Sequence, residues 1–208
     1  MGDGMTESTQ EQNREWTRVE VEDSLREILV DSLGVGDSDV APSASLVRDL
    51  GAESIDFLDI GFKIQQTLGV NLQTAEIRDR IMAWGSVIHP SLVDILQRRH
   101  QVSATADELR ALEKGGLAKI LEHLQAIKGF AADGRAADDL GRALVQRLVA
   151  EFAALGFSVS EADQQDLVGI MRTDLSARRL TERTLDLLTV GALTDFICAK
   201  LGSRLRAA

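Results

Sequence analysis

A serine and three of the four acids in the stretch DLGAESIDFLD, positions 49–59, have the residue types and spacing that could support chemistry. Ser54 directly precedes an apolar run with helical periodicity, so we expect a helix to begin there with the serine as its cap. A helix start offers unpaired backbone N–H groups and the positive end of the helix dipole, and both favour a phosphodiester. Ser54 is therefore a candidate for a phosphate-linked modification, although most serines in this position are only N-caps.

Glu53, Asp56 and Asp59 surround the serine with negative charge. Such a rim is expected to attract basic residues of partner proteins and to raise encounter rates in a salt-dependent way. Lys63 interrupts the acids along the same helix, which would narrow the choice of partners.

The helix after Ser54 has apolar residues on two sides. One side is expected to face the core and carries Phe57, Ile60, Ile64 and Leu68. The other carries Ile55, Leu58 and Phe62, which are either exposed for docking or covered by the rest of the chain.

The stretch around Ser54 resembles the attachment sequence of acyl carrier proteins, whose serine carries a 4'-phosphopantetheine arm. The order of predicted elements agrees with that family: a helix over 21–33, a long loop over 34–50, a helix ended by Gly69, and a short helix over 74–81. The chain departs from the usual pattern at Glu53 and Ile55, where the family mostly has Asp and Leu. These departures leave open which transferase would accept the protein.

The resemblance implies a carrier with no catalytic residues of its own. It would be loaded by a phosphopantetheinyl transferase and served by acyl-loading, condensing or acyltransferase enzymes of fatty acid, polyketide or specialised lipid pathways. The implied docking residues are Glu53, Ile55, Asp56, Leu58, Asp59 and Phe62. The alternative is a non-carrying helical adaptor or oligomerisation protein in which Ser54 is only a helix cap.

The chain has 208 residues, and ordinary members of that family are much shorter. We predict an all-α protein, an acyl-carrier-like four-helix bundle enlarged by additional helices. The predicted parts are a disordered tail over 1–15, carrier helices I–III with the serine over 16–88, an inserted helical region over 89–187, and a carrier-like final helix over 188–208. Alternatively, 91–99 completes the carrier and a separate helical domain follows.

Local signals mark several element ends in the later part of the chain. His89-Pro90 predicts a break, and Gly115-Gly116 predicts an interruption. Thr105, Ser160 and Thr189 each precede an apolar periodic run and are predicted to cap helices. Strand signals are weak throughout, with neither sustained alternation nor an Asn-Gly turn.

Composition excludes several classes of protein. The net charge is -10, and the acids exceed the bases mainly before residue 105, which argues against nucleic-acid binding. No run is long enough for a membrane span, and a single cysteine, Cys198, fits a reducing cytoplasm. The three histidines have no metal-ligand spacing, and no phosphate-binding glycine loop is present.

Overall fold

The computed structural model describes residues 14–72, 74–130 and 135–206, with only the backbone described for 74–82. These residues form nine α-helices and no β-strand, so the all-α prediction is confirmed. Residues 1–13 of the predicted tail lie outside the described part. The helices are α1 (Arg18–Leu33), α2 (Asp56–Leu68), α3 (Thr74–His100), α4 (Ala106–Arg110), α5 (Gly116–Lys128), α6 (Ala136–Ala154), α7 (Glu161–Thr173), α8 (Ala177–Asp186) and α9 (Val190–Leu201).

The chain divides into two compact units, and the first is built from two distant segments. Unit 1 combines Met1–Ile77 with Leu188–Ala208, and unit 2 is Arg78–Leu187. In unit 1, helix α1 packs against both α2 and α9. The periodic apolar residues of these helices meet in a common core, which includes Leu25, Leu29, Ile60, Ile64, Leu68, Phe196 and Ile197.

Unit 2 contains most of α3 and the helices α4 to α8. Helix α7 packs against α5, α6 and α8. Its core is again aliphatic, with Leu117, Ile120, Leu124, Leu144, Leu148, Leu167 and Met171 buried. Short 3₁₀ turns at Asp37–Asp39, Glu113–Gly115 and Gly202–Arg204 complete the two units.

Predicted caps are confirmed at three helices. The hydroxyls of Thr105, Ser160 and Thr189 accept from the backbone N–H groups of Glu108, Asp163 and Ala192 at α4, α7 and α9. The predicted interruption at Gly115-Gly116 is also present, since α5 begins at Gly116.

The predicted break at His89-Pro90 is wrong. Pro90 lies inside α3, and His89 is buried rather than placed in a turn. A proline inside a helix costs about 3 kcal/mol, because it removes one hydrogen bond and crowds the preceding turn. Ile88, Leu92 and Leu96 are buried on either side of it. At roughly 1.5–3 kcal/mol each, their burial outweighs that cost.

Candidate functional site

The loop that leads to Ser54 is anchored on the start of α9. The Leu46 N–H donates to the Leu188 carbonyl at 2.9 Å, and the Val190 N–H donates to the Ala44 carbonyl at 3.0 Å. Val40 and Leu46 of this loop are buried. These contacts join residues far apart in sequence, so the position of the serine depends on both segments of unit 1.

Asp49 closes the turn at the start of the serine motif. Its carboxylate accepts from the Ser45 N–H at 2.8 Å and from the Arg48 Nε at 2.9 Å. The hydrogen bonds from Arg48 and then from Ser45 lower the pKa of Asp49 from 3.8 to about 2. The carboxylate is thus charged at neutral pH and holds the buried Ser45 backbone in place.

Gly51 and Ala52, the two small residues before Glu53, have different structural roles. Gly51 has φ +70, a left-handed conformation that an L side chain adopts only with strain, and a Cβ there would contact nothing within 4 Å. Ala52 is buried, and its N–H donates to the Leu46 carbonyl at 2.8 Å. The motif therefore needs glycine for backbone geometry and a small apolar residue for packing.

Ser54 is exposed in the turn that enters α2, and its predicted capping role is wrong. Asp56 caps the turn instead, since its Oδ2 accepts from the Glu53 N–H at 2.7 Å. An N-cap serine would accept from an N–H two or three residues later. Here those N–H groups, of Asp56 and Phe57, donate to the Glu53 carbonyl instead. No hydrogen-bond partner of the Ser54 hydroxyl is found among the described residues.

The helix start also has unused donors beside the serine. Within the described residues, the backbone N–H groups of Ser54 and Ile55 donate to no protein group, whereas those of Asp56 and Phe57 donate to the Glu53 carbonyl at 3.0 and 3.4 Å. Together with the positive end of the α2 dipole, these donors form an environment that stabilises an anion. An exposed hydroxyl next to them fits a phosphodiester link chemically.

The second apolar face of α2 is exposed. The side chains of Ile55, Leu58 and Phe62 are 70%, 56% and 61% exposed, so the described residues of unit 1 do not cover them. The core face is confirmed at Ile60, Ile64 and Leu68, which are buried, while Phe57 is only half-buried. Three large apolar side chains on one exposed helix face are typical of an interaction surface.

The three predicted docking acids, Glu53, Asp56 and Asp59, differ in their surroundings. Glu53 is exposed, and no side-chain partner of it is found in the described part of the chain. Asp56 is half-buried and caps the helix. Asp59 accepts from the Ser32 hydroxyl at 2.7 Å and lies 2.8 Å from the Lys63 ammonium. The hydrogen bonds from Lys63 and then from Ser32 lower the pKa of Asp59.

Sequence reasoning missed Asp31 and Ser32, the α1 residues that contact Lys63. They lie about 30 positions before it, and no pattern in the sequence pairs them. The capping role of Asp56 had a visible signal, an acid three residues after Glu53.

Neither a metal site nor a membrane-spanning helix is found among the described residues. They contain no group of three or more His, Cys, Asp or Glu side chains that could hold a metal ion. No helix among them has the length and apolar character needed to cross a bilayer.

Known proteins match this chain in the region around Ser54. The family model described as a phosphopantetheine attachment site matches residues 23–80. The chain is 38% identical over 52 residues to proteins named acyl carrier protein from two strains of Nitratidesulfovibrio vulgaris, DP4 and Hildenborough, covering 25% of this chain and 68% of each relative. No solved structure gives a significant match.

Proposed function

The chain belongs to the acyl carrier protein family, and we propose that Ser54 is the residue to which its 4'-phosphopantetheine arm is attached. Members of this family carry that group covalently and are not themselves catalysts. The observation that supports Ser54 is an exposed hydroxyl, with no partner among the described residues, beside two unused backbone donors at the entrance of α2.

The chain's residues support attachment in three ways. The exposed hydroxyl can act as the acceptor when a transferase moves the group from coenzyme A. The serine O–P bond forms, the pyrophosphate bond of coenzyme A breaks, adenosine 3',5'-bisphosphate leaves, and the hydroxyl proton passes to the transferase. The free N–H groups of Ser54 and Ile55 and the helix dipole can stabilise the phosphate charge. The anchored loop and the hydrogen bond from Glu53 to Asp56 hold the backbone of the turn that carries Ser54 in place. Once attached, the arm supplies a terminal thiol on which an acyl group can be held as a thioester.

We further propose that partner enzymes dock beside the serine, on Glu53, Ile55, Asp56, Leu58, Asp59 and Phe62. The exposure of the three apolar side chains supports this surface. The partners would be a phosphopantetheinyl transferase and acyl-loading, condensing or acyltransferase enzymes. The acyl group would serve fatty acid, polyketide or specialised lipid synthesis, and the mass of the thioester on protein isolated from its own cell would identify it.

The carrier bundle is proposed to consist of α1, α2, the start of α3, and α9, with Arg78–Leu187 as an insertion. The packing of α9 on α1 and the anchoring of the serine loop on residues 188–190 support this division over a complete carrier that ends at residue 99. The sequence-based boundary between 88 and 89 falls inside the continuous helix α3.

Intact mass spectrometry tests the attachment. The protein is incubated with coenzyme A, Mg²⁺ and a broad-specificity phosphopantetheinyl transferase, and we expect the mass of one phosphopantetheine group to be added. Ser54→Ala should abolish the addition. Ser43→Ala changes another exposed serine of the same loop and should be modified like the wild type. Failure of modification with several transferases would favour the adaptor alternative, and an adduct on Ser54→Ala would place the group elsewhere.

A further inference from the structure

Lys63 joins the two helices that flank the serine. Its ammonium lies 2.5 Å from the Asp31 Oδ2 and 3.0 Å from the Ser32 Oγ on α1, and 2.8 Å from the Asp59 Oδ2 on α2. The Ser32 hydroxyl in turn donates to Asp59 at 2.7 Å. One cation, two carboxylates and a hydroxyl therefore form a single network on the surface of unit 1.

The network involves one of the acids next to the serine. On α2, Asp56, Asp59 and Lys63 follow one another at spacings of three and four residues, so they share one helix face. Asp31 and then Asp59 raise the pKa of Lys63, and Lys63 lowers that of Asp59. Both groups are charged at neutral pH, and the negative charge of Asp59 is opposed at contact distance.

The other two acids keep their negative charge, since neither has a cation partner among the described residues. Asp56 uses its carboxylate to cap the turn, and it remains only half-exposed. Glu53 is the acid of the motif for which the described residues offer no partner. Beside them stand the exposed side chains of Ile55, Leu58 and Phe62. Because Asp59 is paired with Lys63, this surface is less negative than the sequence DLGAESIDFLD indicates, and its apolar part is correspondingly more prominent.

We infer that Lys63 is a specificity-determining residue, which withholds Asp59 from partner proteins so that the apolar face of α2 counts for more, and its charge for less, in their selection. This inference rests on the proposed attachment at Ser54, because the partners concerned are enzymes that act there. It requires association with a basic enzyme surface to be slower, and less sensitive to salt, than it would be with Asp59 unpaired. Electrostatic steering depends on the local charge that the partner meets, so one added charge at the docking face has a measurable effect.

The test is the salt dependence of modification at Ser54 by a transferase with a basic docking surface. Lys63→Met removes the ammonium but keeps a long, helix-compatible side chain. We expect it to raise kcat/KM about 3- to 10-fold at low salt, with the gain lost near roughly 0.5 M NaCl as screening shortens the range of the field. Lys63→Arg keeps the cation and should behave like the wild type.

A control variant in unit 2 separates the effect of the charge next to Asp59 from that of the total charge. Lys119→Met on α5 changes the net charge by the same amount, at an exposed lysine that pairs with Glu122. It should leave the rate unchanged. Equal rates for wild type and Lys63→Met at every salt concentration would overturn the inference, and so would equal gains for Lys63→Met and Lys119→Met. Circular dichroism should show both variants folded, because ion pairs between exposed groups contribute little to stability.

A binding measurement keeps this inference separate from the proposed function. If no variant acquires an adduct, the attachment at Ser54 has failed. The affinities of Ser54→Ala and of Ser54→Ala/Lys63→Met for the same transferase, at low and high salt, then decide the role of Lys63. Tighter, more salt-sensitive binding of the double variant supports it. Equal binding, or no binding by either protein, overturns it.

Discussion

Ser54 keeps its hydroxyl free because the N–H groups that it could cap, two and three residues later, donate to the Glu53 carbonyl. The Asp56 carboxylate in turn accepts from the Glu53 N–H, so Glu53 and Asp56 close the helix start between them. The serine is therefore not needed as a cap. A modifiable oxygen and an ordered helix start thereby coexist in a turn of four residues.

Asp49 should make a pH-dependent contribution to stability. Its pKa of about 2 in the folded protein lies below the ordinary 3.8. The contribution is therefore complete above pH 3.8 and is lost as the pH falls through about 2. Asp49→Asn cannot titrate, so it should melt at a lower temperature than the wild type near neutral pH, and the gap should narrow on acidification.

Thermal unfolding followed by circular dichroism measures that gap between about pH 7 and about pH 2. Other carboxyl groups titrate in both proteins, so only the difference between wild type and Asp49→Asn is interpreted. A difference that stays constant over this range would show that the charge of Asp49 does not stabilise the folded turn.

The start of α9 holds the loop before Ser54 through backbone hydrogen bonds. These contacts leave no room for a side chain at Gly191. The Gly191 N–H donates to the Pro42 carbonyl at 2.8 Å, and a Cβ on Gly191 would lie 2.9 Å from that oxygen. Real Cβ atoms do not approach so closely, and the obstacle is backbone rather than a flexible side chain. Helix α9 thus positions the loop, although it lies more than 130 residues after Ser54 in the chain.

Gly191→Ala should destabilise unit 1 by about 1–3 kcal/mol, because the loop must move away from α9. Gly169→Ala on α7 is the matched control, since nothing lies within 4 Å of its Cβ position. Alanine has the better helix propensity, so the control should gain about 0.5–1 kcal/mol. Hydrogen exchange of the α9 and α7 amides reports each effect in its own unit. Undiminished protection of α9 in Gly191→Ala would contradict the close contact.

Sequence patterns predicted those elements whose signals are local. The caps at Thr105, Ser160 and Thr189 were predictable because each hydroxyl acts on an N–H three residues later. Pro90 led to a wrong prediction of a helix break. The burial of the apolar residues around it outweighs the cost of a proline inside a helix, and that burial depends on tertiary packing.

The candidate site divides in the same way. The serine, the acids and the second apolar face of α2 follow from residue types and helical spacing. The exposure of that face does not, because the spacing left open whether the rest of the chain covers it. The pairing of Lys63 with Asp31 does not, because it depends on how α1 packs against α2. The conformation of Gly51 likewise depends on a turn whose hydrogen bonds end on residues outside the motif.

Unit 1 is assembled from the two ends of the described chain, and these ends are joined directly. The Trp16 N–H donates to the Arg204 carbonyl, and the Arg206 N–H donates to the Trp16 carbonyl, both at 2.7 Å. Trp16 is buried, with the Arg14 guanidinium 4.0 Å from its ring centroid. Bringing together segments separated by Arg78–Leu187 costs loop-closure entropy, so contacts that join them are important for the stability of the unit.

Arg206→Pro isolates the contribution of this junction. Proline lacks the N–H that Trp16 accepts from, whereas Arg206→Ala keeps it and removes only the ion pair with Glu15. Leu205 already has the extended conformation that precedes a proline, with φ -93 and ψ 118. Loss of one backbone hydrogen bond should make Arg206→Pro less stable than Arg206→Ala by about 0.5–1.5 kcal/mol, or more if the Trp16 carbonyl stays buried.

Tryptophan fluorescence in a Trp84→Phe background measures this difference, because Trp16 is then the only tryptophan of the two in the sequence. Its emission should shift to the red at a lower urea concentration in Arg206→Pro than in Arg206→Ala. Coincident urea transitions would mean that the hydrogen bond between Arg206 and Trp16 adds nothing to the stability of unit 1. Separate transitions would show that unit 1 depends on a contact between residues that lie outside the matched range 23–80.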